Sequence, residues 1–492
     1  MSLFGCPNEI LKQIIHDVAI DDLENIAFTC RLIRELSGPV LEEHYKFKRK
    51  YGYKLNYPAK KSMHPAEILD AVIESPRAAL YVRALSLTYR APKGPNDKRI
   101  VAILEKHNYF WNLLNENPLI MDGEVYSWYA RIQDGHIDAI YALLLYYLHS
   151  LKELRIQRPL LIPMTSVMIS RLKCSIVHEL WNDNPPDSSE TYQIIAPEKP
   201  IQRQRKLGLA RLERVIIDPA TCSDEVNLRN RLGDFARFAS FAKFPDLQHL
   251  NGISLCSRKY TISQKFWGFS NLRSIRLMNC HIDPDAFRSL FSGIKGLESF
   301  HYVPTVDAQE STQVVIDHLR QYAGHSLTRL YLRHSEVEMQ SEAWKYRGFE
   351  NLKRIDLNWN CLVHHETPKG LASSGASQSL TSLGPPPSPK KNAKELRKIH
   401  QPILVDLMPL SAESIKIVDL DGKANIEATR WLFFKLLKRI GHFPDLKLII
   451  FVTPRRDCWL HAKEICSRVN LKFPAYSCER EKRTSEIEYV YE

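Results

Sequence analysis

Arginine and aromatic residues recur at alternating positions of short apolar segments in the middle of the chain, and their chemistry is that of anion and protein binding. Arginine pairs bidentately with carboxylate or phosphate, and both arginine and tyrosine often anchor protein interfaces. The hypothesis is a surface that recognises an acidic or phosphorylated protein segment. The alternative is a solvated face on which Arg and Asp side chains pair with each other. The candidate residues are Arg276, Met278, Arg329, Tyr331, Arg333, Arg354 and Asp356, and Arg214, His301 and Asn358 occupy equivalent positions.

The motifs of common catalytic and metal sites are absent from the sequence. It contains no Gly-rich phosphate loop, no Gly-x-Ser-x-Gly and no His-Glu-x-x-His. None of the ten cysteines belongs to a Cys-x-x-Cys pair, and buried free thiols are the expectation for them. His364, His365 and Glu366 have no further ligands nearby, and His461 with Glu464 lacks a second pair. We therefore expect a protein that is not an enzyme and binds neither metal nor cofactor.

The composition is that of an ordinary globular protein. The chain has 492 residues, 44% of them hydrophobic and 25% charged, which excludes a mostly disordered chain. The longest apolar run, residues 139–148, is too short to span a membrane, and no secretory signal pattern is present. The expected location is cytoplasmic, nuclear or both. A net charge of +12 leaves an acidic partner or nucleic acid open, but the aromatic motifs of RNA-binding folds are absent.

A repeated apolar triplet indicates the elements that must position the candidate residues. Each copy has an apolar residue, a second one three positions later and a third two positions after that. The last two residues of a triplet alternate inward on a short strand, so their neighbours face outward. From Leu272 to Leu352 the copies start 25, 30 and 25 residues apart. The first residues of the ten copies are Val82, Leu151, Leu212, Leu250, Leu272, Leu297, Leu327, Leu352, Ile415 and Leu446.

Two copies extend into a longer pattern. The copy at Leu272 continues to Cys280, the copy at Leu352 continues to Asn360, and both match L-x-x-L-x-L-x-x-N/C-x-L. The Cys or Asn is expected to satisfy backbone groups where the chain turns. The chain thus resembles a leucine-rich-repeat protein of fungal type. The resemblance implies an α/β fold, an irregular solenoid over residues 56–490 with parallel strands on the concave face and helices on the convex face.

Two segments interrupt the predicted solenoid. Residues 182–206 begin rich in proline and acidic residues and end basic, which predicts a loop insertion. Residues 366–399 begin rich in Ser, Gly and Pro, which predicts a disordered insertion. Within it Ser388 precedes a proline and resembles a proline-directed phosphorylation site, although a linker without a role is the alternative.

Residues 1–55 predict three short helices. The first spans Pro7 to Val18, and the second follows an approximate capping box at Asp21 and Glu24. Gly38 is expected to end the second helix, with the third running from Pro39 to Tyr51. A module of about 55 residues cannot bury all of its own apolar side chains. Part of its apolar surface is therefore expected to contact a partner.

The segments CPNEILKQII and DDLENIAFTCRLIREL resemble an F-box, the helical module that docks a Skp-type adaptor of cullin–RING ubiquitin ligases. The alternative is an ordinary helical cap on the domain that follows. The resemblance implies a substrate-recognition subunit of an SCF-type ligase, which binds the adaptor through the helices and a protein substrate through the repeats. A leucine-rich-repeat scaffold outside a ligase is the second hypothesis, and nucleic-acid binding the third. The implied adaptor contacts are Pro7, Ile10, Leu11, Ile14, Leu23 and Ile26.

Overall fold

The structure is a computed structural model whose chain forms two compact units. Unit 1 comprises Met1–Ser254 with Phe269–Leu272, and unit 2 comprises Leu255–Gly268 with Arg273–Glu492. The predicted domain boundary near residue 55 stays a prediction. The structure describes residues 5–52, 64–88, 98–107, 110–157, 163–183, 208–218, 233–257, 270–305, 312–333, 348–358, 408–418, 429, 432–433, 441, 443–453 and 456–467.

Unit 1 begins with a three-helix module. Its helices are α1 (Asn8–Asp17), α2 (Leu23–Ala27) and α3 (Arg31–Tyr51). Apolar residues four apart on α1 lie on one face, so that they meet the other two helices. The buried core of the module consists of Leu11, Ile15, Leu23 and Ile33.

The predicted boundary between the second and third helices is wrong. Helix α2 ends at Ala27, and α3 begins after Cys30, whose sulfur accepts a hydrogen bond from the Ile33 amide at 3.5 Å. Helix α3 then runs unbroken through Pro39. An internal proline costs a helix about 3 kcal/mol. Burial of Ile33 and His44, which lie on either side of Pro39, offsets this cost in the folded chain.

The rest of unit 1 combines helices with parallel strands. The described helices that follow are α4 (Pro65–Glu74), α5 (Lys98–Lys106), α6 (Phe110–Asn115), α7 (Val125–Gln133), α8 (Ile137–Tyr147), α9 (Pro163–Asp183) and α10 (Phe235–Ser240). Helix α8 contacts α4, α7 and α9, and its buried Asp138 accepts hydrogen bonds from the Met164 and Thr165 amides at the start of α9. Strands β1 (Ala84–Thr88), β2 (Glu153–Gln157), β3 (Arg214–Asp218) and β5 (His249–Ile253) pair in that order, and β4 is Gly233–Asp234.

Unit 2 is built from alternating strands and helices. After the short β6 (Leu255–Cys256), strands β7 to β12 pair in chain order and in parallel. These strands are β7 (Ser274–Cys280), β8 (Ser299–Pro304), β9 (Arg329–Leu332), β10 (Arg354–Asn358), β11 (Ser414–Val418) and β12 (Leu448–Val452). The described helices are α11 (Pro284–Phe291), α12 (Thr312–Ala323) and α13 (Arg456–Ser467). The predicted α/β class with parallel strands is confirmed.

Eight of the ten predicted triplets lie in the register that the strands adopt. The other two are displaced by three residues, because Leu250 pairs with Val215 and Ile415 pairs with Ile355. Each of these is therefore the middle residue of its triplet. The true triplets begin at Leu247 and Ala412, and the first ends in Gly252. The triplet is recognised in a sequence by its large apolar side chains. The small residues Gly252 and Ala412 occupy triplet positions without giving that signal, so the true register is not visible in the sequence.

Cys280 behaves as the repeat pattern predicts. It is fully buried, its sulfur accepts a hydrogen bond from the Leu255 amide at 3.4 Å, and its thiol donates to the Met278 carbonyl at 3.2 Å. It thus satisfies two backbone groups where the strand ends. Asn360, its counterpart, lies outside the described residues.

The two predicted insertions fall largely outside the described part of the chain. Residues 182 and 183 end helix α9, so the prediction of a loop is wrong for them, and residues 184–206 are not described. Residues 366–399, including Ser388, also lie outside it. Within the ranges given above, no helix is long and apolar enough to cross a membrane.

Candidate functional site

One outward row of side chains crosses the sheet of unit 2. Parallel pairing places Arg276 beside His301, His301 beside Tyr331 and Tyr331 beside Asp356, followed by Lys416. Each step is about 4.8 Å, the spacing of neighbouring strands. Together with the outward residues of the adjacent rows, this row forms what we call the arginine face: Arg276, His301, Arg329, Tyr331, Arg333, Arg354, Asp356 and Lys416.

Tyr331 lies at the centre of the arginine face. Its ring stacks on the His301 ring, with centroids 3.6 Å apart and planes at 22°. The Arg333 guanidinium lies over the Tyr331 ring, 5.2 Å from its centroid. Stacking and the cation–π contact hold these three side chains in one arrangement.

Two arginines lie directly opposite each other on adjacent strands. Arg329 of β9 pairs in register with Arg354 of β10, and both side chains are exposed. Like charges in this position repel and destabilise the sheet. Arg329 begins β9 and Arg333 directly follows its last residue, so that they lie on either side of Tyr331, about 6.6 Å from it at the usual rise of a strand.

The arginine face lacks the carboxylates that would balance it. Its one acidic side chain among the described residues, Asp356, lies 3.5 Å from the Lys416 ammonium. None of the four arginines forms a salt bridge within the described part of the chain. Glu413, at the entry to β11, is bonded to Lys353 at 2.9 Å, and this hydrogen bond is the main reason why its pKa is lowered, with a smaller contribution from the charge of Arg354. The face therefore carries an excess of positive charge.

His301 contributes no charge to this face near neutral pH. Burial, followed by the nearby Arg276 and Arg333, lowers the pKa of His301 from 6.5 to about 2. Its Nε2 atom is buried and has no hydrogen-bond partner within the residues that the structure describes. The ring is thus neutral and adds no positive charge to the arginine face.

The outward face of unit 1 is paired instead. Arg155 of β2 lies 3.1 Å from Asp218 of β3, and Arg214 lies 3.9 Å from Glu153. Arg214, at the position equivalent to Arg329, thus has a carboxylate partner. The alternative interpretation of the pattern, in which Arg and acidic residues pair with each other, describes unit 1.

Met278 does not belong to the outward surface. Its side chain is only 7% exposed, and the pairing of β7 with β8 is irregular between Met278 and Cys280. Asn279 has a positive φ of 52°, which interrupts the alternation of the strand. The prediction that Met278 contacts a partner is therefore wrong for this conformation. Asn358 lies in β10, and its side chain is outside the described set.

The predicted adaptor contacts divide into surface and core. Pro7, Ile10 and Ile14 are exposed, Ile10 by 46% and Ile14 by 41%. Leu11 and Leu23 are buried in the core of the three-helix module, at 1% and 0% exposure. Leu11 and Leu23 are thus unavailable to a partner in this conformation, and their place is set by packing between the helices.

Two further residues of the module bear on its surface. Ile26 is partly buried and packs against the core of the module. Phe28, which sequence reasoning missed, is 63% exposed at the end of α2, with Arg34 over its ring at 5.6 Å. The available signal was its spacing of five residues from Leu23, which takes it off the buried face of the helix.

Polar contacts fix helix α3 to the segment that leads into β1. His44 is buried and lies 3.0 Å from Glu24 through Nε2 and 2.9 Å from the Tyr81 hydroxyl through Nδ1. A carboxylate only accepts, so in the neutral ring Nε2 donates to Glu24 and Nδ1 accepts from Tyr81. Lys48 bonds Glu24 at 2.6 Å and, with His44, lowers the pKa of that carboxyl. Arg83 pairs with Asp21 in the same region.

Comparison with known proteins assigns no family to this arrangement. No family model matches the chain, and no curated protein is similar to it. No cluster of three or more His, Cys, Asp or Glu side chains that could hold a metal ion occurs among the residues whose placement is described.

Proposed function

We propose that the chain is a non-catalytic substrate receptor of an SCF-type ubiquitin ligase. In this proposal the three-helix module is an F-box that docks a Skp-type adaptor, and through it a cullin–RING complex. The parallel strands belong to a leucine-rich-repeat solenoid that binds a protein substrate. The protein would act in the cytoplasm, the nucleus or both. The basis is the sequence resemblance, together with two structural observations.

The observation that carries the proposal is the exposed apolar pair on α1. Ile10 and Ile14 are four residues apart, so they lie together on a face about 100° around the helix from the buried Leu11 and Ile15. Helix α1 thus buries one apolar face in the core of the three-helix module and exposes another. The exposed apolar face is available to a protein partner.

The attachment of the module supports the same function. The contact of His44 with Tyr81 is short and buried, and it holds α3 against the residues that precede β1 within unit 1. His44 and Lys48 also bind Glu24, which holds α3 against α2. A receptor supplies catalysis only by proximity, so a fixed attachment between its docking helices and its repeats favours productive transfer.

The test is a pull-down of purified Skp-type adaptor with the full chain. Wild type should retain the adaptor, and Ile10→Asp combined with Ile14→Asp should weaken binding by about 2 kcal/mol, or roughly 30-fold, as at an interface hot spot. Leu460→Asp is the matched control, since Leu460 is an equally exposed apolar residue, 49%, on α13. Circular dichroism must show that all variants are folded.

Two outcomes would contradict the receptor proposal. The first is failure of the wild-type chain to bind the adaptor, which would leave the repeat scaffold outside a ligase as the function. The second is binding that survives the two α1 substitutions. Leu11→Asp would be uninformative, because a charge at a fully buried position unfolds the module.

A further inference from the structure

We infer that the arginine face binds a phosphorylated serine or threonine within a protein segment, with Arg329, Arg333 and Arg354 around the phosphate. The inference rests on the part of the proposed function that assigns the strands of unit 2 to a protein substrate. It is independent of adaptor docking, because the α1 surface and the arginine face share no residue.

The three arginines are placed so that they can reach one anion. Arg329 at the start of β9 and Arg333 just after its end flank Tyr331, at about 6.6 Å on either side. Arg354 lies opposite Arg329 on the next strand. A guanidinium extends about as far from its own backbone as these separations, so all three groups can converge above the Tyr331 ring. The stack of His301 and Tyr331 with Arg333 gives this position a fixed floor.

The charge balance favours phosphate over a carboxylate. A phosphorylated side chain carries a charge of about −1.5 to −2 and three strong acceptor oxygens. A carboxylate carries only −1 and has two acceptor oxygens. The opposed Arg329 and Arg354 have no salt-bridge partner in the described ranges, so a dianion placed between them would relieve their mutual repulsion.

The aromatic residues favour a protein segment over a nucleic acid. Single-stranded nucleic acids bind by stacking bases on open aromatic faces. Here Tyr331 is already in contact with His301 and Arg333. A nucleic-acid base would therefore have to displace one of these contacts in order to stack on the Tyr331 ring.

The experiment uses the immobilised full chain and three pools of synthetic peptides with randomised flanks. The pools differ only in the central residue, which is phosphoserine, serine or glutamate. Wild type should retain the phosphoserine pool about ten-fold more than either other pool. Arg329→Ala with Arg354→Ala should remove this preference. Arg214→Ala with Arg155→Ala is the matched control on the paired face of unit 1 and should leave it unchanged.

Three results would overturn the inference. Equal retention of all three pools would exclude phosphate recognition, and retention that survives Arg329→Ala with Arg354→Ala would place it elsewhere. Retention of a random single-stranded RNA, without retention of any peptide pool, would replace it with nucleic-acid binding. The adaptor test stays separate: Ile10→Asp with Ile14→Asp should bind the phosphoserine pool as wild type does.

Discussion

The outward faces of the two strand sets share a scaffold and differ in charge. In unit 1, Arg155 and Arg214 have acidic partners on the neighbouring strand. In unit 2, the equivalent rows carry Arg329 opposite Arg354, and Asp356 is paired with Lys416. Paired charges within a sheet satisfy each other, whereas unpaired like charges repel and destabilise it. The two faces therefore differ in how far their own side chains balance their charge.

The buried sides of the two strand sets should be energetically alike. Leu154 of β2 and Leu277 of β7 are both fully buried, each at an inward strand position. We expect Leu154→Ala and Leu277→Ala each to lower the free energy of unfolding by about 2–5 kcal/mol, because each leaves a cavity. Urea unfolding followed by circular dichroism would measure this.

Leu410→Ala is the control for these two variants, since Leu410 is 63% exposed and its truncation leaves no cavity. If only one of the two leucine substitutions lowered the free energy of unfolding, the units would differ in their cores as well as in their outward faces.

Carboxylates added to unit 2 should make its face resemble that of unit 1. Ser299 pairs with Arg329 and Ser414 pairs with Arg354, so that Ser299→Asp with Ser414→Asp would place a carboxylate beside each arginine. Retention of the phosphoserine pool should fall about ten-fold, because the added carboxylates neutralise the arginines and repel phosphate.

Ser86→Asp, on the outward face of β1, is the control for added negative charge and should bind as wild type does. Unchanged retention in the double variant would mean that the charge difference between the two faces has no role in binding.

The smallest expected effect concerns pH and His301. Burial, Arg276 and Arg333 lower the pKa of His301 from 6.5 to about 2, and Tyr331 stacks on the ring. Below pH 6.5 the unfolded chain therefore takes up a proton that the folded chain does not, so this residue makes stability fall as the pH falls. His301→Asn should lose less stability between about pH 7 and about pH 5 than wild type does.

The urea midpoint at each of the two pH values would measure this difference. His249→Asn, which removes an outward histidine from β5 in unit 1, is the matched comparison. Equal pH slopes for wild type and His301→Asn would contradict the lowered pKa of the buried His301.

The sequence by itself determined the α/β class, the first helix and most strand positions. The apolar triplets predicted eight strands in their actual register, since inward residues must alternate with outward ones and be large enough to fill the core. The two displaced triplets involve Gly252 and Ala412, where a small residue occupies an inward position and carries no apolar signal.

The tertiary structure alone decided which residues could serve a partner. The pattern placed Leu11 and Ile10 on one amphipathic helix, but only packing against α3 buries the first and exposes the second. It likewise selected the outward arginines without revealing that Arg214 has an acidic neighbour and Arg329 an arginine. The physical reason is that local periodicity fixes the side of an element on which a residue lies. Burial and charge pairing depend on neighbours that are distant in the sequence.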